Sequence, residues 1–307
     1  MANHSERRSL TSDPLHYIKA YQVYVKKSTA QKETVKWIEQ NLPKVLKQAY
    51  STGQIPETFN ILSVGCGDGS VGDLLILKAV ASYLRSSKPN VKPTVFNQAL
   101  DPSSDAVTAF QSAVNLWKEE CGNVDVSFES SVKTWEDYVA GTKKEEKKFH
   151  IISFVQSIYY MEPEATLRNC LEERLAENGI ILCMNVSQNV FFNHFAKNFY
   201  GTELLVIPTG ITYHTSESVA AIAEKNGLQY EHFLFEFSLD VEEIFDESSV
   251  EGSLLLDFLV QTVNFRDVTG KADEQSVIKF LSERCQTADN NKKILRENVG
   301  VVVIFKY

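Results

Sequence analysis

The sequence predicts an α/β protein with a mostly parallel, seven-stranded sheet and helices on both faces. Short apolar runs alternate with longer amphipathic segments from residue 61 to residue 186, a pattern typical of strands joined by crossover helices. The runs, such as "IILCMNV", are apolar at nearly every position, as expected for strands buried on both faces. A glycine-rich turn, "GCGDG", directly follows the first run.

The N-terminal part of the chain is predicted to be helical over residues 14 to 50. Tyr17, Tyr21 and Tyr24 recur at spacings of four and three and therefore share one helical face. The segment "STGQIPETFN" ends this helix because it contains glycine and proline. The first strand follows at residues 61 to 64.

The helix after the glycine turn is predicted to extend to about Arg85, and the second strand, "KPTVFNQALD", to end at Asp101. Pro102 opens the next helix, with Ser103 or Ser104 near its cap. Proline is favoured at the first helical position and serine at the cap.

The remaining strands are predicted at "VDVSF", "FHIISFVQSI", "IILCMNV", "YEHFLFEFSL" and "VGVVVIFKY". We expect a helix over "PEATLRNCLEERLAENG" that stops at Gly179, and an alanine-rich helix over residues 217 to 226. Three segments fall outside the alternation: residues 1–50, 190–215 and 240–298. We expect a single domain spanning residues 1–307, with these segments added over the carboxyl edge of the sheet.

The composition is that of a globular protein and disfavours nucleic-acid binding. The 307 residues include 31 Lys plus Arg against 40 Asp plus Glu, which gives a net charge of −9, and no basic stripe is visible. The densest charged run, "KKEEKK", mixes both signs and is expected to be a solvated loop.

Cysteine usage and hydropathy favour a reduced, soluble, cytoplasmic protein without a metal site. The five cysteines are odd in number and form no CxxC pair or Cys/His cluster. The N-terminus, "MANHSERRSLTSDP", lacks the apolar stretch of a signal peptide, and no apolar run reaches the roughly 18 residues that span a membrane.

The glycine turn lies where open α/β sheets bind their ligands, outside the carboxyl end of a strand. Gly65, Gly67 and Gly69 form G-x-G-x-G, which allows a tight turn and close approach of a ligand. The turn lacks the G-x-G-x-x-G spacing of dinucleotide sites and the G-K-[ST] of phosphate-binding loops. A tight turn without any ligand is the alternative.

Asp101 favours a ligand that contains a ribose. A carboxylate at the end of the second strand can accept hydrogen bonds from both ribose hydroxyls, each contributing ~1.5–3 kcal/mol. An Asx turn within "LDPSS" would explain the acid without a ligand. A nicotinamide dinucleotide also stays possible, although the second half of a dehydrogenase is not evident in the sequence.

The motifs "ILSVGCGDG", "ALDPSSDAV" and "FVQSIYYM" resemble those of the class I S-adenosylmethionine-dependent methyltransferases, above all the histamine N-methyltransferase family. The similarity continues in "YIKAYQVYVKKST", "LLLDFLVQTVNF" and "ENVGVVVIFKY", and so covers nearly the whole chain. It implies a Rossmann-like fold with an added substrate-binding lobe, and a cytoplasmic monomer. It also implies S-adenosylmethionine as the cofactor, released as S-adenosylhomocysteine.

The resemblance also implies which residues contact the cofactor. These are Gly65, Gly67, Gly69, Asp101, Ser103, Thr134 and Val155. Ser131 is the alternative to Thr134 as the hydroxyl after the third strand. Ala106 stands where the family has a glutamine, so one polar contact is lost.

For the acceptor, the resemblance implies a small amine held by polar groups and an aromatic box. The residues concerned are Tyr17, Tyr21, Gln156, Tyr159, Tyr160, Phe258 and Asn298. The tyrosines could instead be core aromatics, and Asn298 could be a turn residue before the last strand. The family's glutamate after a Ser-Thr pair is replaced by Ala30, with Gln31 adjacent. The expected acceptors are therefore histamine, a histamine-like compound or a histidine derivative.

Methyl transfer mainly requires that an unprotonated lone pair is aligned ~3–3.5 Å from the reacting carbon. An imidazole nitrogen with a pKa near ~6.5 is largely neutral at pH 7, whereas a primary amine near ~10.4 requires deprotonation. None of the six histidines falls in a recognised motif, which suits positioning of an imidazole by Gln156 or Asn298 without a base. The alternatives are a methyltransferase of a different small amine and a non-catalytic cofactor-binding or regulatory protein.

Overall fold

The computed structural model describes residues 8–51, 54–90, 92–121, 124–141, 147–201, 214–288 and 291–307. The helices are α1 Pro14–Lys27, α2 Ala30–Ala49, α3 Asp73–Ser87, α4 Ser104–Cys121, α5 Trp135–Gly141, α6 Pro163–Asn169, α7 Phe191–Phe195, α8 Ser216–Lys225, α9 Val250–Val260, α10 Phe265–Val268 and α11 Lys271–Ser282. The strands are β1 Thr58–Val64, β2 Thr94–Asp101, β3 Asp125–Val132, β4 Phe149–Val155, β5 Leu175–Val186, β6 Gln229–Asp240, β7 Gln286–Thr287 and β8 Lys293–Phe305.

The predicted α/β fold with a central sheet is confirmed, and the strand number is corrected from seven to eight. The order is β3-β2-β1-β4-β5-β8-β6, with β7 paired to β8 off this path. The pairs among β1 to β5 are parallel, and β8 is antiparallel to β5. The additional strand β7 has only two residues, too few for a sequence periodicity to reveal it.

The strand register brings several carboxyl ends to the same edge of the sheet. Val64 on β1 is level with Leu100 on β2, and Val155 on β4 is level with Met184 on β5. The chain runs outward from β1 to β2 and β3 and then crosses back to β4 on the other side of β1, so the strand order reverses next to β1. Such a reversal of strand order creates a crevice outside the carboxyl ends, the usual ligand site of open α/β sheets.

The predicted N-terminal helix is two helices, because the chain leaves helical geometry at Ser28 and Thr29. Asp13 caps α1 by accepting a hydrogen bond from the His16 N–H at 3.1 Å. At the other end, Ser28 forms a β-bridge with Leu239, and the Thr29 N–H donates to a backbone carbonyl at 2.9 Å. Tertiary hydrogen bonding therefore overrides the local helical pattern.

The predicted helix that stops at Gly179 is wrong at its C-terminal end. The α6 helix continues as a wider turn over Cys170–Arg174, and the buried Leu175 then begins β5 by pairing with Phe149. Gly179 lies within β5, where an added Cβ would be 2.8 Å from the Ala176 carbonyl oxygen. The glycine permits close packing in a strand and does not end a helix.

The chain divides into two compact units. The first comprises Met1–Glu33, Gln188–Tyr213 and Glu236–Asn298, and the second comprises Thr34–Ser187, His214–Phe235 and Val299–Tyr307. The core of the first unit contains apolar residues of α7, α9 and α11. The core of the second unit contains strands β1, β2, β4 and β5, the end of β8 and helix α8.

Several of the expectations fall partly on residues that the structure does not describe. They include residues 1–7 of the segment 1–50, 52–53 of the segment that ends the N-terminal helix, 143–146 of the charged run and 202–213 of the segment 190–215. Among the helices of the described ranges, none combines the length and apolar character that a membrane crossing requires.

Candidate active site

The glycine turn is held against the end of β2 by hydrogen bonds from its backbone N–H groups. The Gly65 N–H donates to the Leu100 carbonyl at 2.7 Å, and the Gly67 N–H donates to Oδ2 of Asp101 at 2.9 Å. Gly65, Gly67 and Gly69 have φ of +62°, +53° and +74°, a region that residues with a Cβ rarely adopt. The sequence G-x-G-x-G is therefore required by the backbone conformation itself.

Gly67 and Gly69 face different surroundings. A Cβ at Gly69 would lie 2.2 Å from the ring of the buried Phe110, so this glycine is needed for packing on α4. A Cβ at Gly67 would meet nothing within 4 Å among the described residues. The backbone at Gly67 is thus open to a ligand, whereas packing alone explains Gly69.

Asp101 stabilises the glycine turn and can still accept hydrogen bonds from a ligand. Its Oδ1 accepts from the Ser103 N–H at 2.8 Å, and its Oδ2 accepts from the Gly67 N–H at 2.9 Å. Each carboxylate oxygen has two lone pairs, so one site on each remains for a hydroxyl donor. The Asx turn considered as an alternative is present, and the half-buried carboxylate still fits a ribose.

Ser103 and Thr134 each cap a helix at the carboxyl edge. The Ser103 Oγ accepts from the Ala106 N–H at 3.3 Å and caps α4, as expected for Ser103 or Ser104. The Thr134 Oγ1 accepts from the Asp137 N–H at 3.2 Å and caps α5. Both hydroxyls can still donate a hydrogen bond, since capping uses only their lone pairs.

The chain turns sharply where β4 ends, at Val155 and Gln156. Val155 packs against Gly72, where an added Cβ would be 3.0 Å from its side chain. Gln156 has a φ of +54°, and its N–H donates to the Met184 carbonyl at 2.8 Å. A left-handed conformation in a residue with a Cβ costs of order 1–2 kcal/mol, and such strain concentrates at functional sites.

Ser157 connects this turn to the glycine turn, a role that the sequence motifs did not reveal. Its Oγ donates to the Val64 carbonyl at 2.6 Å, and a Cβ on Gly65 would lie 2.5 Å from the Ser157 Cβ. Next to it, the rings of Tyr159 and Tyr160 lie 4.6 Å apart between centroids. Tyr159 is buried, but Tyr160 is 55% exposed and can therefore contact a ligand.

A buried polar cluster beneath the glycine turn also escaped the sequence analysis. Asp73, 3% exposed, accepts from the Ser153 Oγ at 2.7 Å, and Asn97 Nδ2 donates to the Ser63 Oγ at 3.0 Å. Burial raises the pKa of Asp73 to about 7. In the sequence, this buried cluster is indicated by an acid at the start of the leucine-rich segment "DLLILK".

The predicted aromatic residues of the first unit form one cluster. Phe258, on α9, lies 4.6 Å from Tyr24, 5.9 Å from Tyr21 and 6.2 Å from Tyr17, between ring centroids. Tyr17 and Tyr21 are stacked at 6.0 Å. The three tyrosines are only partly buried, so the cluster is both a packing element and a set of accessible π faces.

Asn298 lies within β8, so its alternative assignment as a turn residue is wrong. Its neighbour Glu297 is 6% exposed, and both of its carboxylate oxygens accept from the single N–H of Phe191, at 3.1 and 3.0 Å. Burial raises the pKa of Glu297 to about 8. The sequence signal was a charged residue within the strand "ILRENVG".

Two histidines have structural partners. His16 Nε2 lies 2.7 Å from Oδ2 of Asp257, a buried carboxylate that also accepts from the Asn264 and Phe265 N–H groups. His150 Nδ1 accepts from the Asn60 N–H at 2.8 Å near the beginning of β4, away from its carboxyl end. Burial lowers the pKa of His150 to about 4, so it is neutral at pH 7 and has a structural role.

The structure thus divides the predicted site residues between the two units. The second unit contains Gly65, Gly67, Gly69, Asp101, Ser103, Thr134, Val155, Gln156, Tyr159 and Tyr160. The first unit contains Tyr17, Tyr21, Phe258 and Asn298. In the second unit they share the carboxyl edge of the sheet, and in the first unit the three aromatic residues are in contact.

Comparison with known proteins places these features among methyltransferases. The methyltransferase domain family matches residues 27–232, more than half of the chain. Histamine N-methyltransferase B of Xenopus laevis is 26% identical over 298 residues, covering 97% of each chain. Histamine N-methyltransferase of Bos taurus is 24% identical over 296 residues, covering 96% of each. Carnosine N-methyltransferase 2 of Gallus gallus is 25% identical over 299 residues, covering 96% of this chain and 88% of that protein.

Proposed function

Because this chain belongs to the methyltransferase domain family and is a class I S-adenosylmethionine-dependent N-methyltransferase, we propose that it methylates a ring nitrogen of a small imidazole compound. The observation that carries the proposal is the constellation at the carboxyl edge of the sheet. Gly67 is open to a ligand, Asp101 retains acceptor sites, and Gln156 ends the adjacent strand. Histamine and carnosine, named in the relatives, both contain an imidazole ring.

The second unit fits the cofactor through its own groups. Asp101 would accept the ribose hydroxyls, and the bare backbone at Gly67 would allow close approach. Val155 would supply an apolar wall, and Thr134 and Ser103 would supply hydroxyl donors. When bound, S-adenosylmethionine supplies a methyl group on a positively charged sulfur, which is already an activated leaving group.

The protein's part in the reaction is then to orient the acceptor and exclude water. Gln156 or Asn298 is proposed to accept the imidazole N–H, which leaves the other ring nitrogen unprotonated for attack. No base is needed for such a ring, since its pKa lies near ~6.5. His16 and His150 are accordingly not assigned as bases, because each is engaged in a structural hydrogen bond, with Asp257 and Asn60 respectively.

Aromatic side chains are proposed to complete the acceptor site. Tyr17 and Tyr21 present partly accessible π faces beside the buried Phe258 in the first unit, and Tyr160 presents one in the second. Such faces attract organic cations by ~0.5–2 kcal/mol each. We therefore propose the first unit as the substrate-binding lobe of a cytoplasmic, monomeric enzyme.

A histidine-derived acceptor is the second candidate, favoured by Ala30. The family resemblance places a glutamate at this position, and its absence removes a contact for the polar end of histamine. A carnosine N-methyltransferase is among the relatives. An imidazole dipeptide has a carboxylate in addition to its amine, so it would be less dependent on an acid at residue 30.

The test is a methyl-transfer assay with S-adenosylmethionine, followed by mass spectrometry of the products. The acceptors are histamine, histidine, carnosine, 4-methylimidazole and a primary amine without an imidazole ring. We expect a gain of one methyl group on imidazole compounds and none on the plain amine. Efficient methylation of the plain amine, or of no imidazole compound by protein that binds the cofactor, would reject the proposal.

A further inference from the structure

We propose that Glu297 binds the positively charged group of the acceptor. It would thereby take the role of the glutamate that the family resemblance places where this chain has Ala30. The inference rests on the proposed function and makes it more specific. The acceptor would be an imidazole compound that carries an ammonium group, and Glu297 would be a specificity-determining residue.

Glu297 is a buried carboxylate with too few partners. Its two oxygens share the single N–H of Phe191, although a carboxylate offers about four acceptor sites. Among the described residues, the influences on its ionisation are burial and that one N–H, with no cationic side chain among them. Because an isolated buried charge is costly, burial raises the pKa of Glu297 to about 8 in the unliganded protein, and a cationic ligand would favour its ionised form and pair with it.

The surroundings of Glu297 include aromatic rings, which also favour a cation. Phe191, whose N–H donates to Glu297, is followed by Phe192, whose ring lies 5.9 Å from that of Phe258 between centroids. Burial, and after it the negative charge of Glu297, raises the pKa of the Tyr24 hydroxyl well above its usual range. The Tyr24 ring stacks on Phe258 at 4.6 Å, and Phe258 contacts Tyr21 at 5.9 Å. A carboxylate next to aromatic faces is the combination that recognises organic ammonium ions.

The position of the missing acid follows directly on the helix that carries Tyr24. The Ala30 N–H donates to the Ser28 Oγ at 3.0 Å, and Ser28 is the C-cap of α1, four residues after Tyr24. Tyr24 in turn packs on the cluster that contains Phe191, the residue whose N–H contacts Glu297. The family's carboxylate is absent at Ala30, the first residue of α2, whereas Glu297 provides a carboxylate on β8.

A purely structural role predicts a different outcome. In that case Glu297 would only fix the start of α7 through the Phe191 N–H. Glu297→Gln separates the two roles, since the glutamine oxygen can still accept this hydrogen bond but carries no charge. Glu236→Gln is the matched control in the same unit, because Glu236 is exposed and paired with Arg296 at 2.6 Å.

The experiment compares histamine with 4-methylimidazole, which has the ring but no ammonium group. For Glu297→Gln we expect kcat/KM for histamine to fall about 10- to 100-fold, mainly through KM, as for a lost charged hydrogen bond. The value for 4-methylimidazole and the Kd for S-adenosylmethionine should change less than about threefold. Ala30→Glu combined with Glu297→Gln should recover much of the histamine activity.

Three results would overturn the assignment. They are an unchanged KM for histamine, an equal loss with both acceptors, and no recovery on adding the acid at residue 30. If the wild-type protein turns over neither of these two acceptors, histidine and carnosine are tested as well, and the proposed function fails only if no imidazole compound is methylated. Calorimetric binding of both acceptors, with S-adenosylhomocysteine present, then tests the role of Glu297 independently of turnover. A preference for histamine that disappears in Glu297→Gln supports its role, and equal binding to both proteins contradicts it.

Discussion

At the scale of single residues, Asp101 joins the structure of the glycine turn to cofactor binding. Both of its oxygens accept backbone N–H groups, from Gly67 and Ser103. In Asp101→Asn one of these N–H groups would face the amide NH₂, which cannot accept its hydrogen bond. The variant would also lack the negative charge that strengthens hydrogen bonds from the ribose hydroxyls. We expect the Kd for S-adenosylmethionine to rise about 10- to 100-fold by calorimetry.

Asp68→Asn is the control for this prediction. Asp68 lies in the same turn, is exposed, and bonds only to the adjacent Ser70 among the described residues. Its Kd should stay within about threefold of the wild type. Equal effects of the two substitutions would mean that Asp101 acts on the turn alone and not on the ribose.

Gly67 and Gly69 provide a second test at this scale. Gly69→Ala should lower the free energy of unfolding by about 2–5 kcal/mol, because left-handed strain adds to a clash with Phe110. Gly67→Ala should cost only about 1–2 kcal/mol, yet weaken cofactor binding at least about tenfold. Urea unfolding and calorimetry measure the two effects. Retained affinity in Gly67→Ala would show that the open backbone is not the binding surface.

Residues of the site differed in how well the sequence predicted them. The glycines and Asp101 were predictable, because their spacing reflects local backbone geometry at the ends of two strands. Glu297 and Asp73 were not, because the burial of an acid depends on partners far away in the sequence. The Phe191 N–H, for example, lies 106 residues from Glu297.

At the scale of elements, Asp257 connects α9, α10 and the N-terminal helix α1. Its carboxylate is buried and accepts from the Phe265 N–H at 2.8 Å and the Asn264 N–H at 3.0 Å, with His16 Nε2 at 2.7 Å. In Asp257→Asn the amide NH₂ would face one of these donors, so one hydrogen bond would be lost. We expect a loss of about 2–4 kcal/mol in urea unfolding.

Asp267→Asn is the matched substitution, since Asp267 is exposed on the adjacent α10. It should change the free energy of unfolding by less than about 0.5 kcal/mol. If the two variants were equally stable, the hydrogen bonds of Asp257 would contribute nothing to the first unit.

Boundaries of elements were predicted less well than their existence. The helix over residues 14 to 50 is interrupted at Ser28 and Thr29 by pairing with β6, which no local pattern encodes. Gly179 resembles a helix stop but permits close packing inside β5. In both cases a tertiary contact outweighs a local preference of less than about 1 kcal/mol.

At the scale of the whole molecule, stability is expected to depend on pH through Asp73. Its folded pKa of about 7 lies above the ~3.9 of an unfolded aspartate, so the folded state holds the proton more tightly. The stabilising contribution is fully present below pH ~4 and is lost as the pH rises through about 7. Relative to Asp73→Asn, the wild type should lose up to about 4 kcal/mol between pH 4 and 8.

Urea unfolding of both proteins at several pH values measures this difference. Asp73→Asn is nearly isosteric and neutral throughout, so the remaining titrating groups are common to both proteins. Parallel stability curves would show that Asp73 does not change its protonation in this range.

The general fold was predictable from the sequence because alternating strands and helices determine a parallel sheet. The first unit is assembled from three separate stretches of the chain, which overlap the three segments that fall outside the strand–helix alternation in the sequence. Our proposal gives the second unit the cofactor and the first unit the recognition of a cationic imidazole acceptor.

The most direct test follows the transferred methyl group itself. S-adenosylmethionine labelled with ¹³C in its methyl group is incubated with the protein and histamine, and the product is observed by NMR. We expect the label on a ring nitrogen of the imidazole and none on the side-chain amine. Label on the amine would contradict the proposed function, and so would the absence of labelled product from histamine, histidine and carnosine alike with protein that binds the cofactor.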